Sequence, residues 1–583
     1  MTEPQNPDQP ETAAGLSPAP RRSNTRKIIV VGLTCVALLI AAGGLVSVRA
    51  ASARSTRRQQ ASAAAARFLQ TWASGNLSAL PAQTVTGSKA LTQVYASFDL
   101  ALGIATKPPA TSSAATSSKT AAALPIHIQL GAPLGSGELI TVPATATIDV
   151  PGLGPWSEHI QIRVRAVGDR ALIDWSSASI SPALKSGDQV RVTRTVPRRG
   201  AILGTDGQAL PVSADVSELV GTVGPATSAQ AKADPTLRVG DLVGQSGLQG
   251  TSDVALRGAA SGDLSVLDPA GHTVATLARW AGRTPQTVPS TVNPAMQAVA
   301  AQVLAQTGHP SALVAIDART GAVLAAASTP AGYPRALLGH YPPGSTFKMV
   351  TLTAALLAGH TLNDPTSCTP TVTVDGFTMH NAGGEAFGTI ALRRAFALSC
   401  NTAFIHLAEN LPHGTLATAA TLMGCNTGHA PLPVPSYGCS FPADATGSAY
   451  AASAIGQGTV LVSPLAMAAI AAAADSGTWN QPHLTPGAAP ASHPLPPAVT
   501  AGLHDGMRAV VTSGTGTPAN LAGTPVYGKT GTAEHGTGKN PPTDAWFAAF
   551  RGDVAVAVIV EDGGFGESVS APVVASFLRA VTP

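Results

Sequence analysis

The chain has 583 residues, more than one compact core holds, so three or four domains are expected. Hydrophobic residues make up 44% and charged residues 11%, and the formal net charge is only +3. No basic stripe interleaved with aromatics occurs, which argues against a nucleic-acid partner.

Residues 1–27 are polar and proline-rich with no apolar period, and read as a disordered cytoplasmic tail. Residues 28–48 then run for 21 positions without a charge, about 31 Å of helix and enough to cross a bilayer. A cleaved signal peptide is the alternative, but its apolar core is usually shorter, roughly 7–15 residues, so an uncleaved single-pass anchor is expected. Lipid attachment at Cys35 fits poorly, since only seven residues of the run precede it. Arg21, Arg22, Arg26 and Lys27 before the segment balance Arg49, Arg54, Arg57 and Arg58 after it, so charge does not orient it. The C-terminal bulk is placed outside because the chemistry below needs an external substrate.

None of the five cysteines (Cys35, Cys368, Cys400, Cys425, Cys439) has metal-ligand spacing, and there is no HExxH, so neither metal nor cofactor is expected. Outside the cytoplasm Cys425 and Cys439 are close enough in sequence for a loop disulfide; two buried thiols are the equal alternative.

After the anchor, residues 61–80 have helical spacing with Ala65, Phe68, Leu69 and Trp72 on one face, ended by Ser74-Gly75-Asn76. A Thr/Ser/Ala/Pro stretch at 106–123 reads as a loop. Residues 159–167 alternate Ile160, Ile162 and Val164 with Gln161, Arg163 and Arg165, and 170–175 continue the strand pattern. A helix followed by an antiparallel sheet is an α+β domain. The segments RFLQTWASGNLSAL and IDWSSASISPALKSGD resemble the nuclear transport factor-like extension of class B penicillin-binding proteins of the methicillin-resistance type, which places such a domain at 59–182. RRGAILGTDGQAL (198–210) and GQSGLQGTSDVALRG (244–258) are similar to the pedestal, or dimerisation, region of the same proteins, at 183–288. Two departures stand out: Thr205-Asp206 where an Asp-Arg pair is usual, and Gln249 where an acid is common.

From residue 289 the patterns become regular. Asn293 caps a helix with Pro294 at its first position, and Met296, Val299, Val303 and Leu304 form its apolar face. SALVAIDARTGAVLAAAS reads as two strands around Arg319-Thr320-Gly321, DAWFAAF and VAVAVIVED as another pair, and Val573, Val574, Phe577, Leu578 and Val581 as a last helix. The expected fold is multidomain α+β, with an antiparallel sheet flanked by helices and an all-helical subdomain at 289–583.

Three short motifs occur there in order: Ser345-Thr346-Phe347-Lys348, Ser399-Cys400-Asn401 and Lys529-Thr530-Gly531. Each is weak alone, but their order and spacing, with the second and third serine-to-motif distances at 399 − 345 = 54 and 529 − 345 = 184, are similar to the SxxK, SxN and KTG set of penicillin-binding proteins and serine β-lactamases. Lysine is scarce, nine against 26 arginines, which adds weight to the two lysines in this set. Pro342-Pro343-Gly344 forces a turn before an apolar helix, so Ser345 falls in a first turn rich in free N–H groups. Lys348 lies one turn on, and an amine buried beside a second cation loses its proton near neutral pH and serves as a base. Ser399 is placed to relay a proton to the leaving amine, with Cys400 pointing away into packing. Asn401 offers a donor and an acceptor to a substrate amide. Lys529, Thr530 and Thr532 suit a carboxylate, on a strand edge that pairs with an extended peptide. The resemblance further implies an oxyanion hole made by the N–H groups of Ser345 and Thr532.

A β-lactamase of the class A type needs a glutamate well after the SxN to activate water; here Glu409 is too close and none follows until Glu534. No segment before Arg198 looks like a glycosyltransferase. The resemblance therefore implies a monofunctional peptidoglycan D,D-transpeptidase in the bacterial plasma membrane. It would act on cell-wall stem peptides through a Ser345 acyl-enzyme, be trapped by β-lactams, and work beside a separate glycosyltransferase. A D,D-carboxypeptidase and a non-enzymatic β-lactam sensor or division scaffold remain the alternatives, and septation and elongation are not distinguished.

Overall fold

The computed structural model describes residues 30–105, 123–211, 216–427, 432, 434–488, 491–536 and 541–582, with side chains from Val48 onward. The tail at 1–27 and nearly all of the stretch at 106–123 lie outside the described residues. Among the described residues no helix is long and apolar enough to cross a membrane, and the side chains of the expected anchor, but for Val48, are not among them. The chain forms two compact units, one of residues 1–149, 156–191 and 266–275, the other of 150–155, 192–265 and 276–583.

In the first unit, helix α1 runs from Val30 to Ala73 without a break. Two separate segments were expected from the sequence; they merge because residues 49–60 contain only Ala, Arg, Ser, Thr and Gln, none of which stops a helix. Gly75 (φ 73°) turns the chain after it. Helix α2 (Ala90–Leu102) and strands β1 (Ile126–Leu130), β2 (Leu139–Val150), β3 (Gly154–Val167) and β4 (Arg170–Ile173) follow, the strands forming a sheet in sequence order. The β1–β2 and β3–β4 pairs are antiparallel. The expected α1 face is the one buried: Ala65, Phe68, Leu69 and Trp72 are fully covered. Trp72 meets the Tyr95 ring edge-on at 5.1 Å, and its Nε1 donates to Asp99 Oδ1 at 2.9 Å. Burial pushes the Asp99 carboxyl up to about 6.

In the second unit, the pedestal-like segments converge on Asp253. Its carboxylate accepts from Arg199 at 2.6 Å, Arg257 at 2.9 Å and the Gly244 N–H at 2.7 Å. Gln249 accepts from Arg199 Nε at 2.9 Å through its side-chain oxygen, so the missing acid is replaced by a neutral acceptor plus a carboxylate four residues on.

The rest of this unit is built on one sheet. Helix α3 (Pro294–Leu304) is capped by Asn293 as expected, its side chain accepting from the N–H groups of Ala295 and Met296. Strands β5 (Ser311–Asp317) and β6 (Val323–Thr329) come next, then helices α4 (Lys348–Leu357), α5 (Leu392–Ala397), α6 (Asn401–Glu409), α7 (Pro464–Ser476) and α8 (Pro497–Ser513). Strands β7 (Tyr527–Glu534), β8 (Thr543–Arg551) and β9 (Val554–Val560) and helix α9 (Ser570–Val581) close the chain. The sheet order is β6-β5-β9-β8-β7, antiparallel throughout. Both faces are covered: α3 and α9 pack on one, with Val556, Val558 and Phe547 facing them, and α7 on the other, with Ala555, Ala557 and Trp546. That explains why β8 and β9 read as continuous apolar runs. Every residue of α7 from Pro464 to Ala474 is buried.

One expectation needs correction. The subdomain set between β6 and β7 is not all-helical: Pro365–Cys368 pairs with Gly388–Ala391, and Thr371–Val374 with Phe377–His380, as two-stranded antiparallel ribbons. Alternating β-branched residues, as in Thr371-Val372-Thr373-Val374, favour extended backbone over helix.

Candidate active site

Ser345 lies in a single 3-10 turn, Gly344–Phe347, which passes directly into α4 at Lys348. Two glycines let other backbone reach this turn. Gly344 has φ 52°, and a Cβ there would stand 2.5 Å from the Thr532 carbonyl oxygen. A Cβ on Gly531 would stand 2.9 Å from the Pro343 oxygen, Thr346 Cγ2 and Trp546 Cβ. Strand β7 is the edge of the sheet, so among the described residues its outer backbone groups have no strand partner, and that edge runs against the serine turn. Gly344 N also donates to the Gly456 oxygen at 2.9 Å, and Trp546 Nε1 to the Pro342 oxygen at 3.1 Å, which fixes the turn from two sides.

Lys348 is fully buried. Its Nζ is 3.0 Å from Ser345 Oγ, 2.7 Å from the Ser399 carbonyl oxygen and 2.6 Å from Asn401 Oδ1. Burial first, and the Lys529 charge second, hold this amine well below the ordinary lysine range. A neutral amine has two hydrogens and one lone pair. In that form the two hydrogens go to the Ser399 and Asn401 oxygens, and the lone pair is left for the Ser345 hydroxyl proton, reversing the 3.0 Å contact in which the charged amine donates to Ser345 Oγ. This is the arrangement a general base needs before it can deprotonate a nucleophile.

Lys529 is also fully buried, and burial brings its amine down to about 7. Its Nζ donates to Ser399 Oγ at 2.8 Å and to the Thr530 oxygen at 3.0 Å. Each amine sits 5.6 Å above an aromatic ring, Lys348 over Phe404 and Lys529 over Phe396.

The structure thus brings all three motifs together. Within the cluster, the Ser399 hydroxyl is held by Lys529, while the recorded Lys348 contact runs to the Ser399 carbonyl. Both ends of the Asn401 amide are engaged, Oδ1 by Lys348 and Nδ2 by the His380 carbonyl at 3.0 Å. Ser345, Ser399, Asn401, Thr530 and Thr532 line a cleft of about 700 Å³.

Three contributors escaped the sequence reading. Asn381, 3% exposed, caps α6 from a distant ribbon: its Oδ1 accepts from Asn401 N at 2.8 Å and Thr402 N at 3.1 Å, and its Nδ2 donates to the Thr369 and Glu385 oxygens. Thr515, in the segment VVTSGTGT, shares a hydrogen bond with Thr530. Cys400 does not simply pack: it is bonded to Cys368 and so ties the SxN turn to a strand. Cys425 and Cys439 form a second disulfide. A lone Asn or Thr carries no motif, and no spacing rule links Cys368 to Cys400.

Residues 311–579 match the family of penicillin binding protein transpeptidase domains. The chain is 31% identical over 363 residues to peptidoglycan D,D-transpeptidase PbpA of Mycobacterium tuberculosis, covering 52% of this chain and 74% of that one. It is 33% identical over 359 residues to PbpA of Mycolicibacterium smegmatis, covering 50% and 72%. Among solved structures, penicillin-binding protein A of M. tuberculosis, as its ceftriaxone acyl-enzyme, aligns with a TM-score of 0.54 at 25% identity, over 67% of this chain and 99% of that one. The PBP2 of Helicobacter pylori in complex with MreC shares the fold, with a TM-score of 0.59 at 17% identity over 67% and 98%. The chain therefore belongs to the penicillin-binding transpeptidases, in their class B-like form.

Proposed function

We propose that this enzyme is a peptidoglycan D,D-transpeptidase that cross-links stem peptides through an acyl-enzyme on Ser345. The observation that carries the reading is the pair of buried amines about the serine, one of them 3.0 Å from its hydroxyl. Lys348 takes the Ser345 proton as Oγ attacks the carbonyl of the penultimate D-Ala. The N–H groups of Ser345 and Thr532 receive the oxyanion, a contribution of about 3 kcal/mol per donor. Lys529, Thr530 and Thr532 bind the terminal carboxylate. The proton taken by Lys348 goes on to the departing D-Ala amine by way of the Ser399 hydroxyl, which gains one proton as it gives one up and is held by Lys529, and Asn401 orients the substrate amide and Lys348. An amine of a neighbouring stem peptide then attacks the ester and restores Ser345. Penicillins enter the same route, their ring amide standing in for the acyl donor.

Around this module we place a single membrane anchor at 28–48, a nuclear transport factor-like extension at 59–182 and a pedestal at 183–288. The catalytic part faces outward from the bacterial plasma membrane, beside a separate glycosyltransferase. The uncharged run at 28–48, the helix-and-sheet build of the first unit and the RRG and GQSGLQG segments support this layout. The test is intact mass after penicillin, followed by peptide mapping. One adduct on the peptide containing Ser345, absent in Ser345→Ala, is expected; equal labelling of the variant overturns the assignment. Product analysis on a D-Ala-D-Ala peptide with and without an amine acceptor separates transpeptidation from hydrolysis.

A further inference from the structure

Beside the catalytic cleft, but not among the residues that line it, three side chains from the ends of three neighbouring strands meet. His535 follows the last residue of β7, Asp544 is the second residue of β8, and Asp562 lies two residues past β9. His535 Nε2 is 3.2 Å from Asp544 Oδ1 and 3.1 Å from Asp562 Oδ1, and the ligand atoms of all three residues lie within 4.8 Å of one another. At those distances a histidine should hydrogen-bond a carboxylate. It does not: Nε2 is a buried atom with no hydrogen-bond partner, so neither oxygen lies along the axis of the ring nitrogen.

That mismatch is what a shared cation produces. With metal–ligand distances of about 2.0–2.2 Å, ligands on adjacent corners stand about 3.0–3.5 Å apart. Each then sits roughly 40–45° off the nitrogen's lone-pair axis, because the metal and not the neighbouring oxygen occupies that axis. Backbone contacts preset the geometry: His535 N donates to the Pro542 oxygen, and Asp562 N donates to Asp544 Oδ1, both at 3.1 Å. Asp544 is 4% exposed, and among the described residues neither Asp544 nor Asp562 has a lysine or arginine within ion-pair distance. The nearby Arg335 is committed to Glu561 at 2.8 Å. The three residues border a cavity of about 440 Å³ that also reaches Tyr341 and Pro342, leaving room for water as further ligands.

We infer that His535, Asp544 and Asp562 bind a divalent transition-metal ion, with zinc the best match to one imidazole and two carboxylates. Such an ion clamps the downstream end of β7, three residues beyond Thr532, to β8 and β9. The site uses none of the residues assigned to acyl transfer. The test uses the tag-free full chain, stripped with chelator and dialysed against zinc. One zinc per chain by elemental analysis and a rise in melting temperature with zinc are expected. His535→Gln and Asp562→Ala should each weaken zinc binding at least tenfold and remove the thermal response, with penicillin labelling of Ser345 retained. Asp562 is largely exposed, so its variant keeps the test valid should His535→Gln fail to fold. Absence of stoichiometric zinc in the wild type, or equal binding by both variants, overturns the proposal. Zinc content and serine labelling are separate readouts, so failure of one assignment leaves the other standing.

Discussion

The Lys529 amine bears on how tightly Lys348 holds its proton. The Lys529 charge is the second cause of the lowered Lys348 proton affinity, after burial. Removing it in Lys529→Met should let the Lys348 amine hold its proton to higher pH. The acid limb of penicillin acylation, read as rate against pH, should then move upward in pH, in addition to any loss of carboxylate binding. An unmoved limb would show that Lys348 is not the titrating base. Stability carries a matching sign. Lys529 binds its proton only below about 7 in the fold but up to the ordinary lysine range when unfolded. Between those values the unfolded chain holds the extra proton, so folding is increasingly favoured as pH rises and carries the full burial penalty below about 7. Thermal unfolding of wild type from pH 7 to 10 should therefore gain more than that of Lys529→Met.

At the scale of elements, the site depends on backbone meeting backbone. Gly531→Ala would drive a methyl against the Pro343 oxygen and Trp546, and the cheapest relief is to part β7 from the serine turn. Acylation by fluorescent penicillin should fall at least tenfold while the melting temperature changes by only a few degrees; near-normal acylation would mean the edge does not need this approach. Asn381 holds the other side. Asn381→Ala strips acceptors from two N–H groups of α6 and donors from two carbonyls, a loss of about 1–3 kcal/mol for buried polar groups. Urea denaturation should report that loss, and the SxN turn should acylate more slowly because Asn401 is anchored through its own N–H.

For the whole molecule, the chain divides into two compact units. Trp72 is fully buried in the first, and Trp72→Ala should destabilise that unit by about 3–5 kcal/mol, seen as an earlier unfolding step. Every group placed at the cleft belongs to the second unit, so penicillin labelling of Ser345 should survive. Loss of labelling would show that the second unit relies on the first.

Local chemistry was enough to read much of this chain. The α1 face at Phe68 and Trp72, the Asn293–Pro294 cap and the apolar runs of β8 and β9 are set by short-range periodicity and backbone preference, which any sequence displays. The positions of Ser345, Lys348, Ser399, Asn401 and Lys529 were visible for a similar reason, since each lies in a motif a few residues long. Distance in the chain hid the rest. The Asn381 cap, the Cys368–Cys400 bond, the ribbons in the presumed helical subdomain and the meeting of His535, Asp544 and Asp562 join residues tens of positions apart or on different strands. What only the tertiary structure decides is the lowered proton affinity of Lys348, because its burial and the nearby Lys529 charge exist only once the chain is folded.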